Sequence, residues 1–120
     1  MKKYSFEKLE VWVLSKEFVK NIYKITSKLP QSEKYGIINQ LQRACVSVPT
    51  NLSEGSGRNS GKDKAYFTQI AYGSLMECLN LLIIANELEF IQKEYIDTMR
   101  KDIEIISKKL SNLRRYQLNH

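Results

Sequence analysis

Small and apolar residues recur at alternating steps of four and three in the third quarter of this 120-residue chain. This spacing keeps one stripe of a helix turned toward the same neighbour, and it is typical of helices that pack side by side. The stripe spans about six helical turns and therefore predicts one long helix. Its members are Phe67, Ala71, Ser74, Cys78, Leu81, Ala85 and Leu88.

The segment just before this helix has the residues of a turn between two antiparallel helices. Ser60 stands three residues before Asp63, the spacing of a capping box in which Ser60 is the N-cap. On the other side of the turn, Gly55 and Gly57 predict a left-handed stop for the preceding helix. That helix repeats the same spacing at Leu41, Cys45, Val48 and Leu52.

The two prolines mark special points of the chain. Pro49 lies inside the second predicted helix, where it removes one backbone donor and crowds a carbonyl group one turn earlier. We therefore predict that helix 2 is kinked near Pro49. Pro30 closes the first helix, because the residue before a proline avoids the helical region. The start signal of the second helix follows at once, in Gln31, Ser32 and Glu33.

No segment alternates with a period of two for long enough to indicate a strand. The connections between the helical segments are short. We therefore predict an all-α protein, an antiparallel up-down-up-down four-helix bundle in one domain over residues 1–120. The predicted helices cover approximately residues 6–29, 32–55, 62–89 and 93–116.

The chain is basic, with a net charge of +6 at pH 7. Residues 1–30 carry seven basic and three acidic side chains, and residues 92–120 carry seven and four, so the excess lies on the first and fourth helices. Such faces can neutralise phosphates, although a solvated helix face with no partner has the same pattern. The candidate nucleic-acid contacts are Lys16, Lys20, Lys24, Arg58, Arg100, Lys101, Lys108, Lys109, Arg114 and Arg115. The seven tyrosines are dispersed along the chain, so they predict no platform for stacking bases.

Residues that could support catalysis are few. His120 is the only histidine, and the two cysteines, Cys45 and Cys78, lie on separate predicted helices. Neither a zinc site nor a nucleophile with its base can be assembled from them. We therefore expect no enzymatic activity, no metal and no cofactor; a small enzyme that depends on Glu54 or Glu77 is the remote alternative.

The glycine-rich turn also has a functional alternative, a phosphate-binding loop. The phosphate-loop consensus would need glycine at Ser56 and a hydroxyl residue at Asp63, and an acidic residue there repels phosphate. We therefore interpret the turn as an ordinary helix connection.

The setting of the chain is predicted to be cytoplasmic. Both cysteines fall on apolar helical stripes, where a free thiol behaves as a small hydrophobic group in a reducing environment. No basic-then-apolar leader precedes Phe6, and no uninterrupted apolar run approaches about 18 residues. We expect no association with a membrane.

A third group of residues is predicted to have a structural role. Three charged residues lie close to apolar stripes, namely Arg43, Glu54 and Glu77. Burial of an unpaired charge there would cost folding free energy. We interpret them as parts of an ion-pair and hydrogen-bond network that sets helix register or a subunit interface. Small residues nearby would let two backbones approach closely, within the hairpin or between subunits. The set is Gln40, Arg43, Asn51, Glu54, Gly73, Ser74 and Glu77.

These residues also carry a family resemblance, which spans residues 9–113. The chain resembles the bacterial four-helix-bundle proteins first described as products of intervening sequences in 23S ribosomal RNA genes. Ser53 departs from the alanine common at that position. The matching residues are Gln40, Arg43, Ala44, Ser47, Asn51, Glu54, Gly55, Arg58, Phe67, Ala71, Gly73, Ser74 and Glu77.

The resemblance implies a four-helix bundle assembled as a homopentamer. It also implies similarity to the accessory variability proteins of diversity-generating retroelements, which are basic pentamers that bind nucleic acid and a reverse transcriptase. Together with the charge distribution, it predicts a non-enzymatic oligomer that binds the RNA or DNA backbone as an accessory to a nucleic-acid enzyme. The alternative is a protein-interaction scaffold with no direct contact to nucleic acid.

Overall fold

The computed structural model describes residues 1–30, 32 and 34–120, and this part of the chain is helical with no strand. The helices pack as a four-helix bundle, which confirms the predicted fold class. They measure 45 × 30 × 21 Å together. The four long helices are α1 (Glu10–Thr26), α2 (Asn39–Ser56), α3 (Gly61–Glu87) and α4 (Lys93–Leu118).

Helices that follow one another in the chain pack together. Helix α1 also packs on α4, which closes the bundle. The largest contact joins α2 to α3, so the predicted hairpin is the most extensively packed pair. Four members of the predicted α3 stripe are buried as expected, and Leu88 is 54% exposed because it follows the end of the helix. The largest fully buried side chains include Phe18, Ile22, Leu41, Leu75, Leu82, Ile106 and Leu110.

Two helices begin later than predicted. The chain before α1 forms a separate 3-10 turn, Ser5–Lys8, and Leu9 is extended (φ −72°, ψ 123°), so the α-helix starts at Glu10. A π-helical segment, Lys34–Ile38, precedes α2 and contains Gly36 in a non-helical conformation (φ −103°, ψ −115°). Without a Cβ, glycine adopts such a backbone at low cost, and the regular helix therefore starts only at Asn39. The predicted start signal at Gln31 and Glu33 lies outside the described residues.

The turn between α2 and α3 confirms one prediction and corrects another. The Ser60 hydroxyl accepts a hydrogen bond from the Asp63 backbone N–H at 3.1 Å, so Ser60 is the N-cap. The left-handed stop is wrong, since Gly57 has φ −83° and the described glycines have no positive φ. Instead, α2 ends with short-range hydrogen bonds from the backbone N–H groups of Gly57 and Arg58.

Pro49 lies inside α2, and the helix continues on both sides of it. The predicted kink there stays a prediction.

Helix α3 is strongly apolar, although much of its surface is exposed in a single chain. It is long and apolar enough to cross a membrane by length and composition, a test that core helices of soluble proteins also pass. Only 33% of its most apolar 18-residue window is buried within this chain. Tyr66 and Ile84 are among its exposed large side chains. Helix α3 therefore presents apolar surface that a single copy of the bundle does not cover.

Candidate nucleic-acid interface

The predicted basic ridge of α1 is exposed to solvent along its length. Lys16, Lys20 and Lys24 follow one another at steps of four, about one helical turn, and all three side chains are exposed. The ammonium of Lys16 lies 5.1 Å from the ring centroid of Trp12. Lys20 lies 3.4 Å from the carboxylate of Glu17. The ridge is thus available to a partner, with two of its charges already engaged by neighbours on α1.

Helix α4 carries six of the ten candidate contacts and packs beside α1. Lys109 Nζ lies 2.9 Å from Glu10 Oε1, which ties the two basic helices together, and Lys108 Nζ lies 3.5 Å from Glu104 Oε1. Exposed ion pairs of this kind contribute about 0–1 kcal/mol. A phosphate could therefore replace the carboxylate partners at little cost.

The basic surface is interrupted where α1 and α4 meet. A small cleft there has a volume of about 90 Å³ and includes Glu17 and Asp102 among its lining residues. Partial burial raises the pKa of the Asp102 carboxyl. The remaining lining is mostly apolar. This cleft is unsuited to a phosphate, so it adds nothing to the strip of basic residues on α1 or to the one on α4.

Two arginines of α4 instead line a larger cleft on the side of α3. The cleft has a volume of about 300 Å³ and no carboxylate in its lining. Arg115 Nη1 donates to Asn112 Oδ1 at 3.1 Å, which restrains its guanidinium. At the same end of the bundle, Thr68 Oγ1 lies 2.7 Å from Gln117 Oε1 and links α3 to α4. The lining residues are Thr68, Gln69, Tyr72, Leu110, Ser111, Arg114, Arg115 and Leu118.

Arg58 lies in the turn between α2 and α3. Its guanidinium carbon is 4.6 Å from the ring centroid of Phe67, a cation–π distance. The side chain is exposed but is restrained by this contact.

The predicted structural set is located on the outer side of the α2–α3 hairpin, and part of it is joined by hydrogen bonds. Asn51 Nδ2 donates to the Ser47 carbonyl at 2.8 Å and lies 2.9 Å from the Ser47 hydroxyl. The hydroxyl oxygens of Ser47 and Ser74 are 2.8 Å apart and connect α2 with α3. Ser47 thus brings Asn51 and Ser74 together.

The charged members of the set are not buried within one chain. Arg43, Glu54 and Glu77 are exposed, as is Gln40, and the described residues supply none of the three charges with an ion pair. Within the described part of a single chain these three charges therefore form no ion pair, because their side chains lie at the surface. Their role at a subunit interface stays a prediction.

Two glycines of the hairpin have opposite surroundings within one chain. Gly73 is exposed, and a Cβ added there would meet nothing within 4 Å. Gly55 is buried, and a Cβ there would stand 2.9 Å from Phe67 Cβ. The tight contact in the hairpin is therefore between Gly55 and the first turns of α3.

Both cysteines belong to the core. Burial raises the pKa of the Cys45 thiol to about 12, and burial also raises the pKa of Cys78. Cys45 Sγ donates to the Gln42 carbonyl at 3.2 Å. Over residues 1–30, 32 and 34–120, no group of three or more His, Cys, Asp or Glu side chains is placed to hold a metal ion.

The α3–α4 cleft was not anticipated from the sequence. Thr68 and Tyr72 are four residues apart on α3, and Ser111 and Arg115 are four apart on α4, so each pair shares a helix face. That spacing was a usable signal within each helix. Only the register between the two helices shows that these faces meet.

Comparison with known proteins agrees with the fold. The family model for the 23S rRNA-intervening sequence protein matches residues 7–112. The chain is also similar to a crystal structure of a protein with unknown function from the S23 ribosomal protein family, from Bacteroides thetaiotaomicron. The two are 23% identical with a TM-score of 0.80, over 86% of this chain and 96% of that one. The comparison with curated proteins gave no match.

Proposed function

The chain belongs to the 23S rRNA-intervening sequence protein family, and we propose that it is a non-enzymatic, homo-oligomeric protein that binds the backbone of RNA or DNA. The observation that supports this most directly is the exposed basic surface of α4. Arg100, Lys101, Arg114 and Arg115 are exposed, and within the described chain none of them has a carboxylate at ion-pair distance. Unpaired, solvated cations of this kind neutralise phosphates and release counterions.

Backbone recognition fits this surface better than base reading does. The α1 strip consists of lysines, which act as flexible point charges, and three of the ten candidate residues are held only by exchangeable surface ion pairs. Contacts to phosphate carry no sequence information directly. We therefore expect binding that depends strongly on salt and weakly on sequence.

Homo-oligomerisation is supported by the outer face of the α2–α3 hairpin, defined here by Arg43, Glu54, Gly73, Glu77 and Ile84. This hairpin face combines exposed charges of both signs with apolar surface on α3. Such a mixture suits a second copy of the chain, which offers opposite charges to each group. Five subunits and a partner such as a reverse transcriptase are implied only by the resemblance to the retroelement proteins, and both stay predictions.

The test is fluorescence anisotropy with labelled structured RNA and duplex DNA across a range of salt. We expect the affinity to fall steeply as salt rises, with a slope of several phosphates per complex. Reversal of Lys101, Lys108 and Arg115 to glutamate should abolish binding. The matched control reverses Lys3, Lys62 and Lys93 to glutamate, which makes the same change in net charge at exposed positions outside the candidate set and should weaken binding far less.

The competing function is a scaffold that binds protein alone. Absence of binding at low salt would contradict the nucleic-acid proposal and favour this scaffold. In that case the charge reversals would leave binding to a protein partner intact.

A further inference from the structure

We propose that the α3–α4 cleft is a site for a single nucleotide, namely a nucleoside monophosphate, free or at the end of a nucleic-acid strand. The strand-end form of this inference rests on the proposed function; binding of a free nucleotide does not. The size of the cleft, its charge and the chemistry of its walls each support the assignment.

The size of the cleft suits one small ligand. Its volume of about 300 Å³ lies at the lower end of the range for small-molecule sites in proteins. A concavity of this size has room for one nucleotide, whereas a duplex would have to stay on the outer surface. The cleft therefore suits a strand end or a free nucleotide, but not a nucleotide inside a duplex.

The charge of the cleft suits a phosphate. Arg114 and Arg115 both line it, and its lining contains no carboxylate. This contrasts with the cleft between α1 and α4, which includes Glu17 and Asp102. A guanidinium presents five N–H donors in a planar fork that matches phosphate oxygens, and Arg115 uses one donor group on Asn112.

The other walls suit a nucleoside. Tyr72 and Leu118 supply aromatic and apolar surface against which a base can pack, above the buried Leu110. Gln69 and Ser111 supply exposed polar groups for the sugar hydroxyls or the edge of the base. The buried Thr68 hydroxyl, with 2% residue exposure, is held close to Gln117, so this wall joins two helices and is preorganised.

The first experiment is isothermal titration calorimetry of the full chain with AMP, with adenosine and with inorganic phosphate at constant ionic strength. We expect AMP to bind saturably, one per chain, and more tightly than either fragment by about tenfold, because AMP alone engages the arginines and the apolar wall together. Absence of saturable AMP binding would overturn the site.

Variants locate the binding. Arg114→Gln with Arg115→Gln should weaken AMP at least about tenfold, and Tyr72→Leu should weaken AMP and adenosine but not inorganic phosphate. The matched control is Lys3→Gln with Lys93→Gln, which removes the same charge at exposed positions outside the cleft. If the two double variants lose AMP affinity equally, the cleft is not the binding site. Circular dichroism melting of each variant verifies that it is folded.

A second arm separates the sources of the nucleotide. A ten-nucleotide RNA with a 5′-phosphate is compared with its 5′-hydroxyl form at salt high enough to suppress backbone contacts. Tighter binding of the phosphorylated form, lost in the arginine double variant, supports a strand end; AMP binding without that preference supports a free nucleotide. If long RNA binds at low salt but AMP does not, the cleft proposal fails while the proposed function stands. If AMP binds but long RNA does not, the proposed function fails while the cleft remains a site for a free nucleotide.

Discussion

Gly55 and Gly73 are helical glycines with opposite surroundings, and they should respond oppositely to the same substitution. Gly55→Ala places a Cβ 2.9 Å from Phe67 Cβ and 3.4 Å from the Lys64 carbonyl oxygen, so we expect a loss of about 1–3 kcal/mol from overpacking. Within one chain a Cβ at Gly73 meets nothing within 4 Å, so Gly73→Ala should gain about 0.5–1 kcal/mol from helix propensity. Urea denaturation of both variants measures the difference. Similar changes at the two sites would contradict the packing described for the hairpin.

The cysteines give a second prediction at this scale. Both thiols are fully buried, so a thiol reagent at pH 8 should react with neither in the native protein and with both in denaturant.

The same burial makes stability depend on pH. An unfolded thiol loses its proton near pH 8.5, whereas the native Cys45 thiol keeps it to about pH 12. The native state therefore binds more protons in this window, and stability falls as pH rises, by up to about 1.4 kcal/mol per pH unit for each thiol. The free energy of unfolding, measured from pH 8 to pH 11, should fall less steeply in the Cys45→Ala, Cys78→Ala variant than in the natural chain. If the free energy of unfolding falls with pH equally steeply in the variant, the two thiols are not the cause of the fall.

At the scale of the element, the end of α3 is held in an unusual way. Glu89 has φ 63°, in the left-handed region, and follows the C-cap Leu88. The backbone N–H of Phe90 donates to the Ala85 carbonyl and that of Glu89 donates to the Asn86 carbonyl, both at 2.9 Å. These are the two hydrogen bonds of a Schellman motif, with glutamate where glycine is preferred.

This geometry predicts that Glu89→Gly stabilises the protein by about 1 kcal/mol, because glycine has no Cβ to clash in the left-handed region. The control is Glu87→Gly, the same change two residues earlier in the last turn of α3, which should destabilise by about 0.5–1 kcal/mol. Thermal unfolding followed by circular dichroism checks both signs. If both variants lose stability, the left-handed conformation at Glu89 is not the dominant cost.

At the scale of the whole molecule, the hairpin face should govern assembly. Gly73→Arg can be accommodated by the single chain, because open space surrounds that position, yet it places a long charged side chain on the hairpin face. We expect sedimentation velocity to show an oligomer for the natural chain and single chains for Gly73→Arg. Thr98→Arg, at an exposed position of α4, should leave the oligomer intact. A monomeric natural chain would refute oligomerisation.

Some features were available from the sequence because they depend on local periodicity. The helical character of the chain, the buried stripe of α3 and the cap at Ser60 follow from residue spacing and from the hydrogen bonds of a single turn. The positive excess on α1 and α4 was likewise a matter of counting charges along the chain. Each of these properties is decided within one helix.

Other features were decided only by the tertiary structure, because they depend on register between helices or on one backbone conformation. Arg43 and Glu77 have apolar neighbours in sequence, yet the rotation of α2 and α3 in the bundle turns both outward. Among the residues that the structure describes, the left-handed conformation belongs to Glu89 rather than to a glycine. Arg114 and Arg115 face Tyr72 across one cleft although about forty residues of chain, including all of the turn before α4, separate them. Spacing along a helix determines which residues share a face, but only packing determines which two faces meet.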